Sequence, residues 1–295
     1  MHRREFARTL AGAALGAAVL PSAPALAQTE TPAREAPFKL SVMLWTVCRD
    51  LPFEKRLETV AEAGYHAVEL VGEFEGWSDS DFAKYNARKR SLGITFDAAA
   101  GVHDAADPAA RTTFLAELTK LLDTADRLEC PAIIVLSGDR LRGVSHQTQH
   151  QTCVETLKRA AEVVAKKNVT LLLENIDPEE NPKYFLTSVA EGFQIIREVG
   201  HPNVKFLYDF YHEQIAEGNL IEKLEKNIDL VGVVHVADVP GRHEPGTGEI
   251  NYANIFRKLA ELKYGGYAAM EFIPSGDPVA NLRAAREMAV RAAAT

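Results

Sequence analysis

Four ionisable residues stand where apolar runs would otherwise continue: Glu174 in "LLLEN", Asp209 in "FLYDFYH", His235 in "VVHVAD" and Glu271 in "AAMEF". Each interrupts its run at a comparable depth, so each would leave water on folding. One buried carboxylate without a partner costs several kcal/mol. Three together with an imidazole repel one another unless positive charge lies among them. Lysines or arginines would be the simpler remedy, but those four segment ends supply none, and Lys205 stands at the start of its segment, facing the opposite end. A divalent cation is the remedy that is left. Three carboxylates and one imidazole are hard-to-borderline donors that suit Mn²⁺ or Mg²⁺ and accept Co²⁺ or Zn²⁺, whereas a structural zinc site would use thiolates. Two open positions on such an ion would admit two oxygens of a small-molecule substrate.

Weaker claims attach to residues nearby in sequence. His212, three residues beyond Asp209, either hydrogen-bonds a substrate oxygen or is a solvated loop histidine. Glu180 lies in the loop after "LLLEN" and is a candidate for touching substrate. Glu69 in "HAVELV" either orients a neighbour or makes a structural pair. Trp45 and Phe210 either wall a pocket or belong to the core. "HQTQH" (146–150) spaces two histidines by four but has no glutamate between them, so it reads as a wet helix start. The loop "DVPGRHEPGTGEIN" (238–251) crowds Arg242 among three glycines. Arg242 offers a planar two-pronged donor to a carboxylate or sugar oxygen. Gly246 and Gly248 let backbone approach a ligand, Pro245 stiffens the approach, and Glu249 starts the next helix.

The elements that must position these groups recur regularly. Short β-branched or apolar runs lie at 40–47, 66–71, 94–100, 132–137, 169–175, 204–209, 230–237 and 267–273. Between them, apolar residues repeat at i, i+3, i+4 and i+7, as on one face of a helix. Gly64, Gly93, Asn168 and Gly200 stand where helix C-caps would. Alternating units of this kind imply parallel strands with right-handed crossovers, and near-continuous apolar strands are covered on both faces. Eight units in this length select a single α/β domain, a (β/α)8 TIM barrel over residues 39–295, rather than an open sheet, since no GxGxxG follows the first strand. In such a barrel the chemistry gathers at the C-terminal strand ends. Those are the ends where the four residues lie.

The N-terminus reads separately. Arg3 and Arg4 precede a short apolar stretch from Leu10 to Leu20 and an Ala25-x-Ala27 cleavage signal. Residues 1–27 are therefore an expected twin-arginine-type signal peptide, cleaved after Ala27 and read by the twin-arginine export machinery. The stretch is shorter than the roughly 20 residues of a spanning helix, so no stable membrane insertion is expected and the location is exported, periplasmic. Residues 28–38 read as a flexible linker. The whole chain carries −8, and losing three arginines and one glutamate with the signal leaves about −10. An acidic chain without a basic run disfavours nucleic acid as a partner. Cys48, Cys130 and Cys153 are an odd set without metal or disulfide spacing. A homo-oligomer stays open.

"VHVADVPGRHEPGTGEINY" closely resembles the loop after strand seven in hydroxypyruvate isomerases, within the xylose-isomerase-like barrel superfamily of sugar isomerases and epimerases. "SVMLWTVCRDLPFEKRLETVAEAGYHAVEL", "LLLENID" and "FLYDFYH" are similar to that family's first βαβ unit and its fifth and sixth strand ends. The likeness spans most of the chain after the linker. It implies that Glu174, Asp209, His235 and Glu271 bind a divalent metal, with the two glutamates as the acid/base pair, and that His212 and Arg242 contact substrate. The implied reaction is hydroxypyruvate to tartronate semialdehyde through an enediolate. There are two departures. The hydroxypyruvate isomerase pattern has glutamine where His235 stands, while histidine is typical of ketose 3-epimerases, and hydroxypyruvate isomerases are usually cytoplasmic. A ketose 3-epimerase or a 3-keto-glycoside lyase is the alternative enzyme. An endonuclease-IV-like phosphodiesterase would need more mouth histidines. A non-catalytic exported sugar-binding barrel would be expected to lack one of the two glutamates.

Overall fold

The computed structural model describes residues 36–295. The expected signal peptide and residues 28–35 of the linker lie outside the described residues. Phe38, the last residue assigned to the linker, is buried and stacks at 6.0 Å on Phe256. The chain is therefore anchored to the domain one residue before the first strand.

Eight parallel strands close into a barrel in chain order: β1 (Lys39–Met43), β2 (Ala67–Val71), β3 (Thr95–Val102), β4 (Ala132–Leu136), β5 (Thr170–Glu174), β6 (Val204–Asp209), β7 (Val231–Val236) and β8 (Tyr267–Met270). Nine α-helices are found among the described residues: α1 (Phe53–Glu62), α2 (Asp79–Ser91), α3 (Arg111–Leu128), α4 (His146–Val164), α5 (Val189–Val199), α6 (Phe210–Ala216), α7 (Leu220–Asn227), α8 (Tyr252–Glu261) and α9 (Pro278–Ala293). None is long and apolar enough to cross a membrane. Gly64, Gly93, Asn168 and Gly200 all adopt the positive φ that left-handed caps require. The three cysteines are free thiols.

Alternation along the strands explains why the four residues share one place. Side chains two apart point the same way. Leu172, Leu207, Val233 and Ala269 form an apolar plug inside the barrel with Met43, Ala98 and Ile134. Two residues further along the same strands come Glu174, Asp209, His235 and Glu271, which therefore face inward one layer above the plug. The residues between, such as Leu173, Tyr208 and Val234, belong to the larger cluster under the helices. Removing the plug from water supplies the burial energy, roughly 1.5–3 kcal/mol for each large side chain. The same packing holds the polar layer in place.

Two strands end sooner than the apolar runs suggest. β1 stops at Met43 rather than Val47, because a 3-10 turn (Leu44–Thr46) follows, closed by Thr46 Oγ1 on the Met43 carbonyl at 2.8 Å. The buried Arg56 donates to the Leu44 and Val47 carbonyls and pairs with Glu73, which fixes that turn. β8 stops at Met270, so Glu271 is the first residue past its strand.

Candidate active site

The elements bring the four sequence-identified residues together. Ligand-capable atoms of Glu174, Asp209, His235 and Glu271 all lie within 4.8 Å of one another, and all four residues are buried. Glu174 and Glu271 line a cavity of about 520 Å³ at the C-terminal mouth of the barrel, as do Trp45, Tyr211, His212, Glu180 and Arg242.

Each side chain has a local reason for its pose. Asp209 is the N-cap of α6: its Oδ1 accepts the amides of Tyr211 at 2.7 Å and His212 at 3.4 Å. Capping satisfies two of the helix's free donors and turns Oδ2 toward the cluster, where it is buried without a hydrogen-bond partner. The His235 ring is held between two glutamates, Nε2 at 2.8 Å from Glu69 and Nδ1 at 2.6 Å from Glu271. Glu69 thus orients a neighbour, the first of the two readings of that residue. Glu271 also accepts the Trp45 indole N–H at 2.9 Å. The 3-10 turn after β1 delivers that indole. Trp45 therefore walls the pocket, while Phe210 is fully buried core.

The strand ends supply no basic side chain, as their sequence indicates, yet the cluster has one. Arg242 comes from the loop after β7, and its guanidinium lies 2.9 Å from Glu271 and 3.5 Å from Asp209. It stacks at 4.8 Å over Tyr211 and 5.6 Å over Trp45, and Nη1 donates to both oxygens of Glu180 at 2.9 Å. Positive charge thus does reach the cluster, but on one side only. Glu174 has no lysine or arginine partner, and its nearest cationic group is the His235 ring at 3.7 Å.

Burial and these neighbours push the two inner glutamates in opposite directions. Burial raises the Glu174 carboxyl to about 8, against the lowering pull of His235. Burial would raise Glu271 too, but Arg242 and then His235 outweigh it and hold that carboxyl well below the usual range. His212 is raised to about 9 because Asp209 and Asp177 outweigh the effect of burial. The donor set suits a divalent ion: three carboxylates and one imidazole, with a buried Asp209 oxygen that faces them without a hydrogen bond.

Two readings of the loops change. His212 is neither solvated nor on a loop; it lies buried in the first turn of α6, with Nδ1 at 2.6 Å from Asp177. Asp177 was not singled out from the sequence. It also receives the Glu179 and Glu180 amides through Oδ1, so one carboxylate fixes both a pocket wall and the backbone of Glu180. Asp177, Glu180 and His212 form a second cluster within 4.8 Å. In the 238–251 loop, the polar group that the backbone approaches is Asp238, whose carboxylate accepts the Gly246 amide at 2.8 Å and the Ile250 amide at 3.0 Å. A Cβ on Gly248 would lie 2.0 Å from the Val239 carbonyl oxygen. That glycine serves close packing of the loop on itself, not approach to a ligand. Glu249 does not start the next helix either: Asn251 caps α8, and Glu249 bonds Gln214.

Comparison with known proteins agrees with this fold. The family model described as "Xylose isomerase-like TIM barrel" matches residues 57–292. A putative hydroxypyruvate isomerase of Danio rerio is 32% identical over 263 residues, covering 84% of this chain and 94% of its own length. A 2-oxo-tetronate isomerase of Pectobacterium atrosepticum is 29% identical over 248 residues, covering 81% and 93%. Among solved structures, an AP endonuclease, family 2, from Brucella melitensis superposes with a TM-score of 0.76 at 26% identity, over 84% of this chain and 96% of its own.

Proposed function

From the premise that this chain belongs to the xylose isomerase-like TIM barrel family and is an isomerase related to hydroxypyruvate and 2-oxo-tetronate isomerases, we propose that it interconverts a small hydroxy-carbonyl acid by proton transfer, with hydroxypyruvate to tartronate semialdehyde as the reaction. The observation that carries this is the convergence of Glu174 and Glu271, which line the cavity, with Asp209 and His235. Those four side chains would hold Mn²⁺ or Mg²⁺, with Co²⁺ or Zn²⁺ as substitutes. A dication bound there supplies the charge that stabilises an enediolate.

The chain's own residues do the rest. One glutamate takes a proton from C3 of hydroxypyruvate and the other returns one to C2. A C3–H bond breaks and a C2–H bond forms, while the C3 hydroxyl becomes the aldehyde and the C2 carbonyl becomes the hydroxyl. No electrons leave the substrate. Arg242 faces the cavity between two aromatic rings, where its guanidinium would pair with the substrate carboxylate. Glu180 holds that guanidinium from the outer side and is itself 39% exposed at the side chain, so it can turn away as an anion enters. His212, held by Asp177, presents its ring to a substrate oxygen. The arginine pair in residues 1–27 supports an exported, periplasmic enzyme as part of the same proposal.

Solvent exchange tests the reaction. In D₂O with added Mn²⁺, the enzyme is expected to place carbon-bound deuterium in hydroxypyruvate. Absence of exchange into hydroxypyruvate, free ketoses and 3-keto-glycosides alike would rule out proton-transfer catalysis. Because His235 matches the epimerase pattern, a second reading is a ketose 3-epimerase, and deuterium confined to C3 of a ketose would select it.

A further inference from the structure

Glu69 on β2 and His235 on β7 are not on adjacent strands; β8 and β1 lie between them in the closed barrel. Their side chains nevertheless meet inside it, Nε2 to Oε2 at 2.8 Å, with neither residue exposed. The positions in register beside them are small: Ala98 pairs with Glu69 and Ala269 with His235. Both alanines are fully buried in the apolar plug, so the interior leaves room for the contact. Burying this carboxylate is costly, and its second oxygen, Oε1, has no hydrogen-bond partner. The same interior accepts Leu172, Leu207 and Val233 without that cost. An apolar side chain at position 69 would fill the space but would leave the imidazole unanchored.

The consequence lies on the opposite edge of the ring. With Nε2–H donated to Glu69, the nitrogen facing the site is Nδ1, at 2.6 Å from Glu271, 3.7 Å from Glu174 and 4.0 Å from Asp209. Rotating the ring by half a turn would put carbon there instead. We propose that Glu69 is a positioning residue, which fixes the tautomer and rotation of His235 so that Nδ1 offers its lone pair to the divalent ion. The proposal rests on the metal reading above and extends it across the barrel to a residue that touches neither ion nor substrate. A carboxylate behind a ligating imidazole both orients it and strengthens it as a donor.

Mn²⁺ affinity, measured by the electron paramagnetic resonance signal of free Mn²⁺, separates this role from a structural one. Losing such a partner typically costs about 10–100-fold in metal affinity. Glu69→Ala is expected near the upper end of that range. Glu69→Gln keeps an acceptor at the same reach but removes its charge, so it is expected near the lower end. A merely structural role would shift the melting temperature of the metal-free protein and leave Mn²⁺ affinity within about twofold of the unaltered chain. Unchanged affinity in Glu69→Gln overturns the proposal, whether or not Glu69→Ala folds. If the unaltered chain itself binds no Mn²⁺, the metal reading fails first and this inference falls with it.

Discussion

Glu174→Gln and Glu271→Gln are each expected to abolish turnover, with a loss in kcat of about 10³–10⁴-fold or more, while the barrel stays folded. General acid/base groups typically contribute about 10²–10⁴-fold, and each of these residues is also placed to ligate the ion, so the upper part of that range applies. The two variants differ in stability. Glu174 has no lysine or arginine partner and its carboxyl is pushed up to about 8 by burial, so a neutral amide there costs the fold little. Glu271 holds Arg242, His235 and the Trp45 indole together, and its amide weakens all three contacts. Steady-state rates beside thermal melts check both statements. Full activity in either variant would remove that residue from the mechanism.

Arg242→Ala is expected to destabilise the metal-free protein by about 3–5 kcal/mol, the usual effect of stripping one partner from a buried ion pair. Sequence alone gives this arginine a binding role, whose loss would mainly raise KM for an anionic substrate. The structure adds a second role, because the guanidinium is the one arginine or lysine group within reach of Glu271 and Asp209 among the described residues. Without it those carboxylates have only the His235 and His212 rings beside them. Melting of the metal-free variant should therefore fall well below that of the unaltered chain, and Mn²⁺ should restore part of the loss by supplying positive charge at the same place. A melting temperature unchanged by Arg242→Ala would contradict the structural role. A KM unchanged for hydroxypyruvate would contradict the binding role.

The barrel was legible because its signals are local. Apolar runs, helical periodicity and left-handed caps such as Gly64 and Asn168 repeat within a few residues of one another, and eight repeats leave little choice of architecture. The four clustered residues were legible for the same reason: a charge inside an apolar run stands out without any knowledge of what lies opposite. Contacts across the barrel leave no such mark. Glu69 and His235 are 166 positions apart, and nothing in either segment names the other. Arg242 reads as a loop cation, since its inward reach depends on a loop folded around Asp238 and on the rings of Trp45 and Tyr211. Asp177 carries no mark of its own in the sequence, although its two oxygens serve His212 and the Glu180 backbone. Strand ends shifted where side chains far along the chain intervene, as Arg56 does in closing the turn after β1.

One dication held by three carboxylates and one imidazole at the barrel mouth is the feature on which the proposed reaction depends. Anomalous diffraction at the manganese edge, from crystals grown with Mn²⁺, tests it most directly. One strong peak per chain is expected, within bonding distance of Glu174, Asp209, His235 and Glu271. A peak seated instead among Asp177, Glu180 and His212, or no peak at millimolar Mn²⁺, would contradict it.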